Sequence, residues 1–158
     1  MEKAFKDPEC PGYSHAPHTA DELVVARGRS LGEAFEQAAI GVYEIMTDTS
    51  RVEPREETRI EVEGFDLENL LYRWIEELLI ATDTTGRVFS KFAVKKIEEV
   101  LVDEETSERK YRLEGVAWGE SFNPDKHEHR TIVKAMTYAQ MEIMKEEECW
   151  RLQFVVDI

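Results

Sequence analysis

Two amphipathic helix patterns separated by a strand pattern place the strongest constraint on the fold of this chain. The first helix pattern covers residues 30–48, where apolar side chains recur at helical spacing and Ser30 forms a capping box with Glu33. The second begins after Asp66, an expected N-cap, and carries a leucine-rich stripe that includes Trp74. Each helix must bury its apolar face against another layer of structure.

The other apolar segments have strand character. Residues 22–28 are short and β-branched, and residues 59–64 alternate apolar and polar side chains. Residues 1–17 show no clear period and are predicted to be a tail or loop. Four more segments, rich in β-branched and aromatic residues and separated by charged or proline-containing turns, are predicted to be antiparallel strands: residues 88–103, 110–120, 131–146 and 150–158. The order predicts an α+β fold, a single domain with two amphipathic helices packed on mainly antiparallel β-sheet.

The charge balance restricts the classes of partner. The chain of 158 residues has 20 basic and 34 acidic residues, a formal net charge of −14. This sign argues against direct nucleic-acid binding and is compatible with a bound cation or a basic protein partner. We find neither a signal-peptide pattern nor an apolar stretch approaching the roughly 18 residues of a membrane span. We therefore expect a cytoplasmic protein without membrane contact.

The chain has two cysteines, Cys10 and Cys149. For a cytosolic chain the default expectation is two reduced thiols. A disulfide between them would tie the two ends of the chain together, and the sequence leaves that alternative open.

The last strand pattern places oxygen ligands at the end of the chain. Residues 150–158 alternate, with Asp157 on the face opposite the larger apolar residues, and the free carboxylate of Ile158 follows directly. If the first and last strands are neighbours, Asp21, Asp157 and the Ile158 carboxylate would meet. Their mutual repulsion would be relieved by a divalent cation such as calcium or magnesium. The alternative is that Asp21 caps a turn and Asp157 is a solvated acid.

Two further hypotheses concern the residues around Asp21 and a lysine near the C-terminus. One hypothesis is a zinc site formed by Cys10, His15, His18 and Asp21, although their spacing is unusual for zinc. The alternative role for His18 is to orient its loop by hydrogen bonding. Lys134 either extends its ammonium group to solvent or directs it at the acidic site or at a partner's phosphate.

Signatures of catalysis are missing from the sequence. It contains no G-x-S-x-G, H-E-x-x-H, P-loop or G-x-G-x-x-G motif, and no base lies near either cysteine. The run "KHEH" at 126–129 follows a predicted Asn-Pro turn and is predicted to be a solvated loop. We therefore expect a protein that is not itself an enzyme.

An ordered set of motifs resembles the archease family. The set comprises "HTAD" at 18–21, "SLGEAFEQAAIGVYEIMTD", "DLENLLYRWIEELL", "GVAWGE", "VKAMTY" and the terminal "VVDI". The resemblance covers residues 13–158, which would form the archease-like domain, and leaves residues 1–12 as a flexible N-terminal extension. Met136 stands where the family tends to carry isoleucine, a substitution that conserves volume.

The resemblance implies an accessory function. Archeases activate the GTP-dependent RNA ligase that joins tRNA halves: they promote attachment of GMP to the ligase, support multiple turnover and broaden its nucleotide use. Archaeal members bind a calcium-type cation, and the ligand positions correspond here to Asp21, Asp157 and Ile158. The alternative is a chaperone-like adaptor whose metal site is purely structural; a metal-dependent hydrolase is less favoured because no partner set for an activated water is visible.

Overall fold

The computed structural model describes residues 7–17 and 20–158. Its helices and strands, in chain order, are β1 (Gly12–Pro17), β2 (Asp21–Gly28), α1 (Leu31–Met46), β3 (Glu56–Gly64), α2 (Leu67–Thr85), β4 (Arg87–Asp103), β5 (Glu108–Ser121), β6 (Ala135–Met136), β7 (Glu142–Lys145) and β8 (Trp150–Asp157). A short 3-10 helix, Thr49–Arg51, follows α1.

The strands form two antiparallel sheets. In the first, which we call the terminal sheet, β1, β2, β8 and β6 lie in that order and β7 also pairs with β8. In the second, β5 lies between β3 and β4. The α+β architecture with two helices packed on antiparallel sheet is thus confirmed, and β2 and β8, far apart in sequence, are direct neighbours.

Both helices begin at the predicted caps. The Ser30 hydroxyl accepts a hydrogen bond from Glu33 N at 3.1 Å, and the Glu33 carboxylate accepts one from Arg29 N at 2.9 Å. At the start of α2, the Asp66 carboxylate accepts from Asn69 N at 2.7 Å. The bonds from Glu33 N and Asn69 N satisfy backbone donors that a helix start leaves without intrahelical partners.

The core lies where the helices meet the sheets. Helix α1 packs against β2 and β4, and α2 packs against β3. The largest fully buried side chains of the core include Trp74 and Tyr43. The polar atom of each is hydrogen-bonded to a backbone carbonyl. The Trp74 indole donates to Phe35 O at 3.0 Å, and the Tyr43 hydroxyl donates to Leu78 O at 2.9 Å. Burial raises the pKa of the Tyr43 hydroxyl well above its ordinary value.

The face assignment in the last strand is also confirmed. Leu152, Phe154 and Val156 belong to the core cluster, with Trp150 and Ile158 packed against it. Their burial orients β8, so that Asp157 lies on the opposite face of the terminal sheet.

Two predictions about the β-structure are wrong. Residues 12–17 are strand β1 rather than loop, because they pair along β2 from Gly12 opposite Arg27 to Pro17 opposite Glu22. Residues 131–146 do not form one strand. Thr131 N donates to Ile45 O at the end of α1. Between β6 and β7, Gln140 has a positive φ of 54°, which interrupts the extended backbone.

The expectation of two reduced thiols is wrong as well. Cys10 and Cys149 form a disulfide with a Cα–Cα distance of 6.6 Å. β1 begins opposite Arg27 and β8 begins opposite Gly28, so the residues just before each strand reach the same end of β2. Within the described ranges, no helix is long and apolar enough to cross a membrane.

Candidate metal centre at the end of the terminal sheet

The register of β2 with β8 brings the predicted aspartates together. β2 begins at Asp21, β8 ends at Asp157, and the two residues lie directly opposite each other in the antiparallel ladder. The next residue continues the pairing, because Ile158 N donates to Ala20 O at 3.2 Å. The last two residues of the chain therefore lie beside the start of β2.

A third segment reaches the same position from the other side of β8. Lys134 N donates to Asp157 O at 2.8 Å, and Ala135 pairs with Asp157 in β6. The backbone of Asp157 is therefore held between two strands, whereas its side chain and that of Lys134 are exposed. The ladder therefore fixes the main chain of Asp157, and its carboxylate is open to solvent.

Facing carboxylates at this point carry an electrostatic cost. Like charges directly opposite each other on neighbouring strands destabilise a sheet. Asp21, Asp157 and a terminal carboxylate on Ile158 supply only oxygen donors, the set that calcium and magnesium prefer, so this donor set fits such a cation.

The side-chain arrangement does not by itself identify a metal site. Among residues 7–17 and 20–158, no group of three or more histidine, cysteine, aspartate or glutamate side chains is placed to hold a metal ion. The candidate set has two aspartates, Asp21 and Asp157, and takes its third ligand from the main chain. The ligand role of all three residues stays a prediction that depends on register and donor chemistry.

The zinc hypothesis for the N-terminal residues is wrong about Cys10, which was its proposed sulfur ligand. The Cys10 sulfur is bonded to Cys149. The His15 ring nitrogen Nδ1 lies 3.1 Å from the Glu22 carboxylate. His18 lies outside the described residues, so its proposed role is unchanged by the structure.

The prediction of a solvated loop at 126–129 is wrong for His127, which is 3% exposed. Its Nδ1 accepts a hydrogen bond from Asn123 N at 2.9 Å, and its Nε2 lies 3.3 Å from the Glu120 carboxylate. A hydrogen bond from Lys126 lowers the pKa of that carboxylate. The histidine closes a turn, which is a structural role.

The sequence interpretation missed two tyrosines near the candidate centre. The rings of Tyr72 and Tyr138 stack with centroids 4.4 Å apart. Burial raises the pKa of the Tyr72 hydroxyl, and the nearby carboxylates of Glu76 and Asp157 add to the rise. One sequence signal could have pointed to Tyr72: it lies three residues after Asn69 in the second helix pattern, so the two side chains share one face of α2.

These features define a class: an α+β domain in which two helices pack on antiparallel sheets and the outer ends of β2 and β8 place two aspartates opposite each other. Residues 13–158 match the Archease protein family (MTH1598/TM1083). The chain belongs to the archease family, as the motifs indicated.

Named relatives agree with this assignment over nearly the whole chain. The chain is 58% identical to Protein archease of Aeropyrum pernix over 150 residues, covering 95% of this chain and 99% of that protein. It is 53% identical to Protein archease of Sulfurisphaera tokodaii over 141 residues, covering 89% and 94%. The solution structure of Methanobacterium thermoautotrophicum protein 1598 is similar, with a TM-score of 0.74, 36% identity, and coverage of 94% of this chain and 99% of that one.

Proposed function

We propose that this protein is a cytoplasmic accessory factor that activates the GTP-dependent tRNA-splicing RNA ligase and binds a divalent cation, calcium, at the candidate metal centre. It would promote guanylylation of the ligase and multiple turnover, and broaden the nucleotides that the ligase accepts. The observation that carries the proposal is the direct pairing of Asp21 with Asp157, next to Ile158, in a chain that belongs to the archease family.

The chain's own residues would hold and present the cation. Asp21, Asp157 and the Ile158 carboxylate would be its ligands, with their backbones positioned by the β2–β8 ladder. A bound divalent cation supplies charge neutralisation for phosphoryl transfer. Lys134 would place an exposed ammonium group near a phosphate, and His18 would orient the loop that precedes Asp21.

The proposed role is to assist the ligase rather than to catalyse a reaction. A net charge of −14 suits docking on a basic protein surface and makes direct nucleic-acid binding unfavourable. Complementary charge would also speed association at low salt.

The proposal is tested by single-turnover guanylylation of the source organism's ligase with and without calcium. Asp21→Asn should remove most of the stimulation in a protein that remains folded. Glu61→Gln is a matched control, because Glu61 faces Glu114 across β3 and β5 and forms a second pair of opposed acids. The control should retain full stimulation.

The same assay separates the alternative function. If Asp21→Asn lowers only thermal stability and leaves stimulation intact at a permissive temperature, the protein is an adaptor with a structural metal site. Adding Gly-Ser after Ile158 moves the terminal carboxylate and should weaken calcium binding measured by calorimetry. Undiminished affinity would remove Ile158 from the ligand set.

A further inference from the structure

A band of exposed apolar side chains runs along the surface next to the N-terminal half of α2. Among the residues that the structure describes, seven large hydrophobic side chains are exposed, and three lie here: Phe65 at 71%, Val102 at 51% and Tyr138 at 51%. Phe65, Val102 and Asn69 line one shallow depression, and Asn69 and Tyr72 connect it to Tyr138. We call these five residues the aromatic band.

The aromatic band is held in place by its own contacts. The Tyr138 ring stacks on Tyr72 at an interplanar angle of 12°, and its hydroxyl accepts a hydrogen bond from Asn69 Nδ2 at 2.6 Å. The other side-chain atom of Asn69, Oδ1, accepts from Phe65 N at 3.2 Å. A half-exposed ring fixed in this way loses little conformational entropy when a partner covers it.

Folding does not account for the exposure of Phe65. It immediately precedes the N-cap Asp66, where an apolar residue often packs against the fourth helical residue, here Leu70. Leu70 is fully buried, yet Phe65 remains 71% exposed. Exposed apolar patches with polar rims are typical of interaction sites.

The charge around the aromatic band favours a cationic partner. Besides burial, Glu76, Tyr138 and Asp157 raise the pKa of the Tyr72 hydroxyl, and the Arg73 guanidinium, which is paired with Glu76, lowers it. The two basic residues that line the depression are each paired with an acid, Arg109 with Glu99 at 3.5 Å and Lys110 with Glu63 at 2.8 Å, and a further acid, Glu108, lines it as well. With a formal net charge of −14 for the whole chain, a basic protein surface is the complementary occupant.

We propose that the aromatic band is a protein-docking surface for a basic segment of a partner, with an arginine stacking on Tyr138 and an apolar side chain entering the depression beside Phe65. Arginine stacks well on aromatic rings, and tyrosine and arginine are enriched where interfaces gain most of their affinity. The partner is the RNA ligase, and in this respect the inference rests on the proposed function. Docking here would bring the aspartate end of the terminal sheet to the ligase surface.

The test measures the affinity of the full chain for the source organism's purified RNA ligase by calorimetry in calcium. Phe65→Ser and Tyr138→Ala combined should weaken binding by about thirtyfold or more. Met144→Ala, a change at an exposed β7 residue away from the band, should alter affinity by less than about threefold. Calcium titration without ligase and thermal unfolding should be nearly unchanged in Phe65→Ser alone, because Phe65 is 71% exposed.

The outcomes separate this inference from the proposed function. Full ligase affinity in the double variant would overturn the docking assignment, and stimulation of ligase guanylylation by the wild-type protein would still support the function. Loss of affinity in the double variant, with stimulation by Asp21→Asn intact, would support docking and contradict the metal role. A wild type that does not bind the ligase would overturn both. If the band variants instead lose affinity for single-stranded RNA alone, the surface stacks bases and the inference is wrong.

Discussion

The two ends of the β2–β8 strand pair are built in opposite ways. At one end, the disulfide end, Cys10 is bonded to Cys149, and Arg27 lies 3.0 Å from Glu146. At the other, the aspartate end, the same two strands place Asp21 opposite Asp157. An ion pair and a disulfide link the segments at the disulfide end, whereas two residues of like charge lie opposite each other at the aspartate end.

The difference indicates how the strand pair can tolerate an unfavourable site. Arg151 binds the Asp7 carboxylate through two nitrogens, at 2.9 and 3.3 Å, and Arg27 donates to Pro8 O at 3.2 Å. These contacts and the disulfide hold the strands in register from the far end. Repulsion between Asp21 and Asp157 therefore need not separate the strands, and the two residues stay opposite each other.

The largest expected effect comes from opening the disulfide end. Changing both cysteines, Cys10→Ser with Cys149→Ser, should lower the free energy of unfolding by about 2–5 kcal/mol, because the bond restricts a long loop in the unfolded chain. The two residues are separated by 139 positions. Guanidinium denaturation measures the loss, and wild-type protein in excess dithiothreitol should reproduce it. Equal stability of variant and wild type would contradict a stabilising role for this end.

Calcium should have the next largest effect, at the aspartate end. At a calcium concentration one hundred times the dissociation constant, the wild type should gain about 2.7 kcal/mol of stability, because only the folded state assembles the ligands. Asp157→Asn should lose most of this gain, measured by calorimetric unfolding with calcium and with chelator. Glu61→Gln should retain it, and so should the serine variant of both cysteines. A calcium gain that persists in Asp157→Asn would remove Asp157 from the site.

A smaller effect is expected from the ion pair at the disulfide end. Arg151→Gln should cost about 1 kcal/mol, because a two-nitrogen contact with Asp7 is lost but the exposed carboxylate is screened by solvent. The Asp7 side chain is 51% exposed. Urea denaturation at low and high salt measures the cost, which should shrink as salt rises. A cost that is independent of salt would assign it to packing rather than to charge.

The smallest effect is a gain in stability. In chelator, Asp157→Asn should stabilise the protein by about 0.2–1 kcal/mol, because it removes one of two like charges that face each other. The same variant should be less stable than the wild type when calcium is present, so the sign of the change reverses with the cation. A loss of stability in both conditions would show that Asp157 makes a structural contact that outweighs the repulsion.

Local signals account for the elements that were predicted correctly. Ser30 and Asp66 cap helices through bonds to residues three positions away, and alternation in residues 150–158 sets which face is buried. Such signals depend on neighbours in the sequence, so they can be read without the fold. The archease motifs were also readable because they follow one another along the chain.

The errors share a physical cause, which is pairing between distant segments. Strand β1 is stabilised by its ladder with β2, and its own composition, with Gly12 and Pro17 at its ends, is not typical of a strand. Residues 131–146 were predicted to be one strand, but the start of this segment bonds to the end of α1. His127 is buried by a turn that its own side chain closes.

The sequence by itself determined the helices, their caps, the apolar face of β8 and the overall negative charge. Only the tertiary structure decided that Asp21 and Asp157 are opposite each other, that Cys10 bonds to Cys149, and that Tyr138 stacks on Tyr72. The reason is that helix caps and strand faces arise from interactions over a few residues. Strand order and register depend instead on which distant segments exclude water together, and this is decided only when the whole core packs.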